Sequence, residues 1–193
     1  SLPDDGDYLF GCASRLHESR VPVVEVPIDE SHSASILSHQ LAVNHKRRLT
    51  EAQTHIALHA AKAEPTPLYF NLASRIAATW NSYTPVEECI LRSGVRPIIL
   101  QIFERMRKEF QPVFTNTALA LMTLSVHGLT STEMEDLLSI DSEVLEEVFE
   151  YSRPNIERIP VHVWLRLRNH IDGLTVERAE GCLKWYHRQL SET

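Results

Sequence analysis

Several things are scarce in this 193-residue chain, and each shortage removes a class of function. Cysteine is sparse. Cys12, Cys89 and Cys182 stand far apart, with no Cys-x-x-Cys pair and no even count. A disulfide framework is therefore not expected, and a reduced, cytoplasmic compartment is the economical reading. No apolar run is long enough to span a bilayer. Positive charge is also short. A net charge of -7 argues against a general nucleic-acid or membrane-surface binder. The first residues, Ser1-Leu-Pro-Asp-Asp-Gly6, do not form a signal peptide and carry no initiator Met, so the chain reads as a piece of a longer protein.

The machinery of catalysis is missing as well. There is no Gly-x-x-x-x-Gly-Lys-Ser/Thr loop and no acidic Walker B strand. Without backbone amides around the phosphates and a held Mg²⁺, phosphoryl transfer has no catalyst, so the chain alone should not hydrolyse ATP. No Ser-His-Asp or Cys-His arrangement follows from spacing, and no catalytic residue is expected. His55 and His59 are four apart on one predicted helix face. No third ligand is close and no Glu follows His55 in the metalloprotease manner, so no metal site is expected.

What is present is a substantial apolar fraction, 43%, enough to bury a core in one large or two small domains. Leu9, Phe10, Ala13 and Leu16 have helical spacing. The β-branched stretch bounded by Pro22 and Pro27 predicts one short strand over Val23 to Val26, a strand without a partner in this chain. Helices follow for over a hundred residues. Ser31 or Ser33 starts one carrying Ile36, Leu37 and Leu41. Thr50-Glu-Ala-Gln53 forms a capping box, opening a helix whose apolar face is Ala52, Ile56, Ala60 and Ala63. Pro65 and Pro67 interrupt it. Leu68, Leu72, Ile76 and Trp80 repeat every four residues. Thr84-Pro-Val-Glu87 predicts another capping box with Pro85 at the first helical position. Beyond Pro97, an apolar stripe runs through Ile99, Ile102, Phe103, Met106 and Phe110.

A second unit begins near residue 112. Its first helix carries Ala118, Leu121 and Met122, and Gly128 is placed to close it. Thr130-Ser-Thr-Glu133 is a capping box, with Leu129 placed to staple onto Met134. Ile140-Asp141 followed by Leu145 repeats the staple, and that helix carries Val144, Leu145, Val148 and Phe149. Pro160 opens a helix with Val163, Trp164, Leu167 and Ile171 on one face. Leu174 and Val176, then Leu183 and Trp185, alternate around Ala179-Glu-Gly181, which predicts a hairpin. Helices followed by such a hairpin make a winged helix. The chain then enters a last helix, with His187 at the junction. A histidine there has free backbone N–H groups beside it, where an anion can bind.

Bland readings stand beside the functional ones. Pro67 can serve simply as a helix-opening residue, and His187 can hydrogen-bond within the fold. Trp80, Trp164 and Trp185 fall on apolar stripes and read as core. From Glu133 to Glu150 there are eight acids and no Lys or Arg. That run reads as a solvated helix face, with a docking surface as the alternative. Residues 151–190 hold seven Lys or Arg against four acids, a mildly basic stretch. Arg166 and Arg168 lie on the candidate recognition helix but cannot share one face.

The order of strand, helical bundle and winged helix resembles the back half of the nucleotide module of STAND ATPases, in particular the NACHT type found in proteins ending in WD-repeat propellers. Three segments carry the resemblance. The first is Pro65-Thr-Pro-Leu-Tyr-Phe70 with Trp80-Asn-Ser-Tyr83. The second runs from Gly128 through Thr130, Glu133 and Ser139 to Asp141 and Leu145. The third is Arg158-Ile-Pro160 and Trp164-Leu-Arg-Leu167 with Trp185-Tyr-His-Arg-Gln189. Ser1-Leu-Pro-Asp4 is similar to the loop after the family's sensor strand.

The resemblance implies a mainly α fold in three parts. Residues 1–30 would end the NTPase core, their short strand left over from an α/β ATPase. Residues 31–111 would be a helical bundle, and 112–193 a winged helix with a small hairpin wing. It implies that Pro67 packs on the adenine of ADP or ATP and that His187 meets the β-phosphate, with Mg²⁺ held elsewhere in the parent protein. Implied partners are the remainder of the polypeptide (NTPase core and WD-repeat propeller) and further copies in a homo-oligomer; neither nucleic acid nor membrane is expected as a partner, from the charge balance and the lack of a long apolar run. The expected role is a conformational switch. A nucleotide-free interaction scaffold and, less favoured, a DNA-binding winged helix are the alternatives. The half from 112 to 190 is expected to be the more self-sufficient one.

Overall fold

The computed structural model describes residues 30–150, 158–178 and 181–193. The expected helix over 7–18, the strand over Val23 to Val26 and the loop at Ser1 to Asp4 lie outside the described residues.

The fold is mainly helical. Helix α1 (Glu30–Gln40) runs into a π-helical turn (Leu41–His45), then α2 (Glu51–Ala61) and α3 (Pro67–Ala77) follow. A 3₁₀ turn (Val86–Glu88) precedes α4 (Val95–Glu109). Then come α5 (Pro112–Leu124), α6 (Ser131–Ile140), α7 (Ser142–Val148) and α8 (Val161–Ile171). The hairpin β1 (Thr175–Glu177) and β2 (Leu183–Trp185) leads into a one-turn helix α9 (Arg188–Ser191).

Helix α3 is the hub of the first unit and packs on α1, α2 and α4. Its Tyr69, Phe70, Leu72, Ala73, Ile76 and Ala77 are all buried. A helix apolar on most sides needs neighbours on most sides, and the surrounding helices supply them. Thr66 caps it by accepting from Tyr69 N–H at 3.2 Å, and Pro67 occupies the first turn, where its missing N–H costs nothing.

The Thr50 capping box forms as its sequence predicts. The buried face of α2, however, is Gln53, Ala57, Ala60 and Ala61, one position away from the expected line of Ala52, Ile56, Ala60 and Ala63. The cause is Gln53. Its Oε1 accepts from Thr50 N–H at 3.1 Å and its Nε2 donates to Asn81 O at 2.8 Å, so a polar side chain satisfied at both ends enters the core. The expected box at Thr84 does not form. Thr84 Oγ1 accepts instead from Asn81 N–H at 2.9 Å, and only the short 3₁₀ turn follows. Trp80 is buried but lies beyond the end of α3.

In the second unit the Thr130 capping box forms, and Asp141 Oδ1 caps α7 by accepting from the N–H groups of Glu143 and Val144. The second staple does not form. Ile140 is 79% exposed, because it ends α6 off the face that buries Met134 and Leu138. Gly128 does not close α5, which ends at Leu124. It sits at φ +93° where the chain enters a bridge between Leu129 and Leu183, and a Cβ there would stand 2.7 Å from the Leu183 carbonyl oxygen. Only glycine takes that conformation and that approach without strain. The hairpin is antiparallel, pairing Thr175 with Trp185, Val176 with Lys184 and Glu177 with Leu183. Leu129 adds a bridge to its inner strand, and together with α5, α6 and α8 this makes the winged helix.

Candidate functional site

Pro67 is exposed at the first turn of α3. Its ring is available to a flat apolar ligand, while Leu72 and its neighbours face inward. His187 is half-buried where β2 passes into α9. Its Nδ1 accepts from Gln189 N–H at 3.3 Å, so the imidazole caps its own short helix. That bond assigns the neutral tautomer with the proton on Nε2. Burial, and then the neighbouring Arg188, hold its pKa below the ordinary imidazole value. A neutral His187 thus has one donor to offer, Nε2–H, and no described residue takes it. The rings of Tyr186 and His187 meet edge to face at 6.1 Å.

Pro67 opens α3, whereas His187 stands between β2 and α9. The elements that carry them are linked through other residues, which sequence reasoning passed over. Arg75, in the last turn of α3, donates to the carbonyl of His170 at 3.1 Å and to that of Asp172. Burial lowers its pKa, against the nearby Tyr186 and Asp172, which raise it. Along α4, Phe103 meets Trp185 at 5.8 Å between ring centroids, and Glu109 pairs with His170 at 3.4 Å. Phe110 meets the His170 ring edge to face at 5.3 Å. Trp185 Nε1 donates to Thr123 Oγ1 at 3.1 Å. The seam between bundle and winged helix is therefore aromatic in the middle and polar at its edge. No sequence periodicity marks Arg75, which looks like any basic residue near a helix end.

Several basic side chains of the winged helix are engaged within the fold. Arg166 lies over the Phe110 ring, 5.6 Å from its centroid. Arg168 donates to Ser131 Oγ and to Glu177 Oε2, each at 3.0 Å. Arg158 pairs with Asp136 at 2.7 Å, and Lys184 Nζ donates to Val126 O at 2.7 Å. Between α8 and the wing lies an open cleft of about 270 Å³ lined by Leu165, Arg168, Asn169, Asp172, Thr175, Glu177 and Leu183. With two acids and an arginine already paired, it is a poor seat for a phosphate backbone.

Among the described residues no three His, Cys, Asp or Glu side chains cluster to hold a metal ion. His55 and His59 stack on each other at 6.5 Å. Cys89 is buried and Cys182 half-buried, both free thiols. Trp80, Trp164 and Trp185 are all core residues, as expected. No described helix is long and apolar enough to cross a membrane.

Residues 88–175 match the family model described as the NWD1-like, winged helix-turn-helix domain. The chain is 30% identical over 194 residues to human (Homo sapiens) NACHT and WD repeat domain-containing protein 2, covering 98% of this chain and 11% of the relative. The mouse (Mus musculus) protein of the same name matches to the same extent. Mouse NACHT domain- and WD repeat-containing protein 1 is 30% identical over 154 residues, 76% of this chain and 10% of that protein. The chain thus spans about a tenth of the length of the curated relatives it matches. No solved structure matches it.

Proposed function

We propose, from the premise that this chain is a homologue of the NACHT and WD-repeat proteins with an NWD1-like winged helix, that it is the regulatory segment of a STAND-type nucleotide switch. In this reading the helical bundle and winged helix close over ADP or ATP held by an NTPase core elsewhere in the polypeptide. Pro67 lays its ring against the adenine, and His187 meets the β-phosphate. The residues present suit such a ligand at these two points. An exposed proline at a helix start offers an apolar face to a base. A neutral imidazole with Nδ1 occupied offers Nε2–H to an anionic oxygen. The state of His187 is the observation that carries the reading.

The chain brings no phosphoryl-transfer chemistry of its own. Any ATPase activity belongs to the parent protein, which would hold Mg²⁺ and the phosphates. The role of these residues is to bind one nucleotide state better than another, so that exchange shifts the population between closed and open arrangements. The open arrangement would present an oligomerisation surface, and the remaining domains, including a WD-repeat propeller, would be the first partners. The segment would work in the cytoplasm. Nucleic acid is disfavoured as a partner because Arg158, Arg166, Arg168 and Lys184 are engaged within the fold.

The test is calorimetric ADP binding by the parent protein, with and without His187→Ala, beside this segment alone. The expected result is tight binding by the parent, weakened roughly tenfold or more by the substitution, as for a lost hydrogen bond to a charged group, and no binding by the segment. Unchanged affinity would make His187 purely a helix cap. No binding by the parent would leave an interaction scaffold without nucleotide.

A further inference from the structure

We propose that Arg75 is the positioning residue that couples the two candidate nucleotide contacts, by holding the turn to which the Tyr186 backbone, next to His187, is hydrogen-bonded. This deepens the nucleotide reading and rests on it. Arg75 stands on the same helix that Pro67 opens. At about 1.5 Å per residue the two are roughly 12 Å apart on one rigid rod. Near the far end of that rod, Arg75 reaches across to the winged helix.

The grip is specific. The guanidinium donates to the carbonyls of His170 and Asp172, at the C-terminus of α8, where carbonyls have no partner within the helix. A cation there also meets the negative end of the helix dipole. The following turn is shaped around it. Gly173 has φ +75°, and a Cβ at that position would come within 2.5 Å of Arg75 Nη1. From the turn the connection continues through the backbone. Leu174 N–H donates to Ile171 O at 2.9 Å, and Tyr186 N–H donates to Leu174 O at 3.1 Å. His187 is the next residue. Tyr186 is close enough for the Arg75 charge to act on its hydroxyl, and that charge, after burial, also lowers the pKa of His45 at the end of the π-helical turn. A displacement of α3 therefore reaches His187 through a short, continuous set of bonds, and the reverse holds too.

The experiment uses the full-length parent protein. ADP affinity is measured for the native sequence, Arg75→Ala, Arg75→Lys, His187→Ala and the double variant with both alanines. Hydrogen exchange is followed at the Tyr186 and Leu174 amides. We expect Arg75→Ala to speed exchange at Tyr186 by about tenfold or more, while the Leu129–Leu183 bridge keeps its protection. We also expect it to weaken ADP, with a double variant whose loss falls short of the sum by at least about fivefold. Arg75→Lys should recover part of both effects, because an ammonium still donates to a carbonyl. Strictly additive losses, or unchanged exchange at Tyr186, would overturn the coupling. If His187→Ala leaves ADP affinity intact, the phosphate reading fails and the coupling falls with it, whatever the exchange data say of the grip. Should Arg75→Ala fail to fold, Arg75→Gln and Arg75→Lys carry the same comparison.

Discussion

At the scale of single residues, His187 is the best-defined candidate, because one hydrogen bond decides its chemistry. Its Nδ1 must stay unprotonated to accept from Gln189 N–H. Burial and then Arg188 lower its pKa in the fold. The sign follows from linkage. A base whose pKa is depressed by folding contributes stability that is fully present above its unfolded value and is lost as pH falls toward the folded one. Mild acidification should therefore loosen α9, and His187→Gln should flatten that dependence. An NMR titration of the His187 ring, read beside the unfolding midpoint at neutral and mildly acidic pH, checks this. A ring that titrates at the ordinary imidazole value would contradict it. The position of His187 between strand and helix is readable from the alternation Leu183, Trp185 followed by a helical run. Its hydrogen-bond partner is not, because a cap depends on backbone angles within a turn.

At the scale of elements, the helix ends show how far local sequence goes. Thr50, Thr130 and Asp141 cap the helices that follow them, and all three are legible because donor and acceptor lie within three residues. Helix α5 has no cap of its own. Its free N–H groups at Val113 and Phe114 donate to the carboxylate of Glu147, a residue of α7, at 3.0 and 2.7 Å, and Gln111 Nε2 donates to Glu147 O. Helix α4 is served likewise by Glu64, which accepts from Val95 N–H at 2.7 Å. One member of the acidic run thus has a structural task that composition hides. Glu147→Ala should destabilise the chain by about 1–2 kcal/mol, as for a lost cap with charged hydrogen bonds, whereas Glu143→Ala should change little. Denaturant unfolding of both variants makes the comparison, and equal effects would refute the cap.

At the scale of the whole molecule, α4 decides what can be separated. It packs on α3 in the first unit and on α5 and α9 in the second. Cutting before residue 112 would strip Phe103 from Trp185 and Glu109 from His170. The family match starts earlier, at residue 88, and so includes this helix. A segment over 88–193 should unfold cooperatively and at higher denaturant than one over 112–193, by circular dichroism. The reverse order would mean that α4 belongs energetically to the bundle alone.

Periodicity and capping patterns were enough to locate most helices, the hairpin and the buried tryptophans, because these depend on residues near one another along the chain. The same local logic misplaced the inward face of α2, the turn at Thr84 and the role of Gly128. At two of these a distant partner took over, Asn81 for Gln53 and Leu183 for Gly128; at Thr84 the hydroxyl turns back to Asn81, three residues earlier, rather than forward to a helix. The grip of Arg75 on the α8 turn and the cap from Glu147 arise only once the helices are packed. Both use main-chain groups left open at helix ends, and which side chain reaches an open end is a matter of where the fold places it in space.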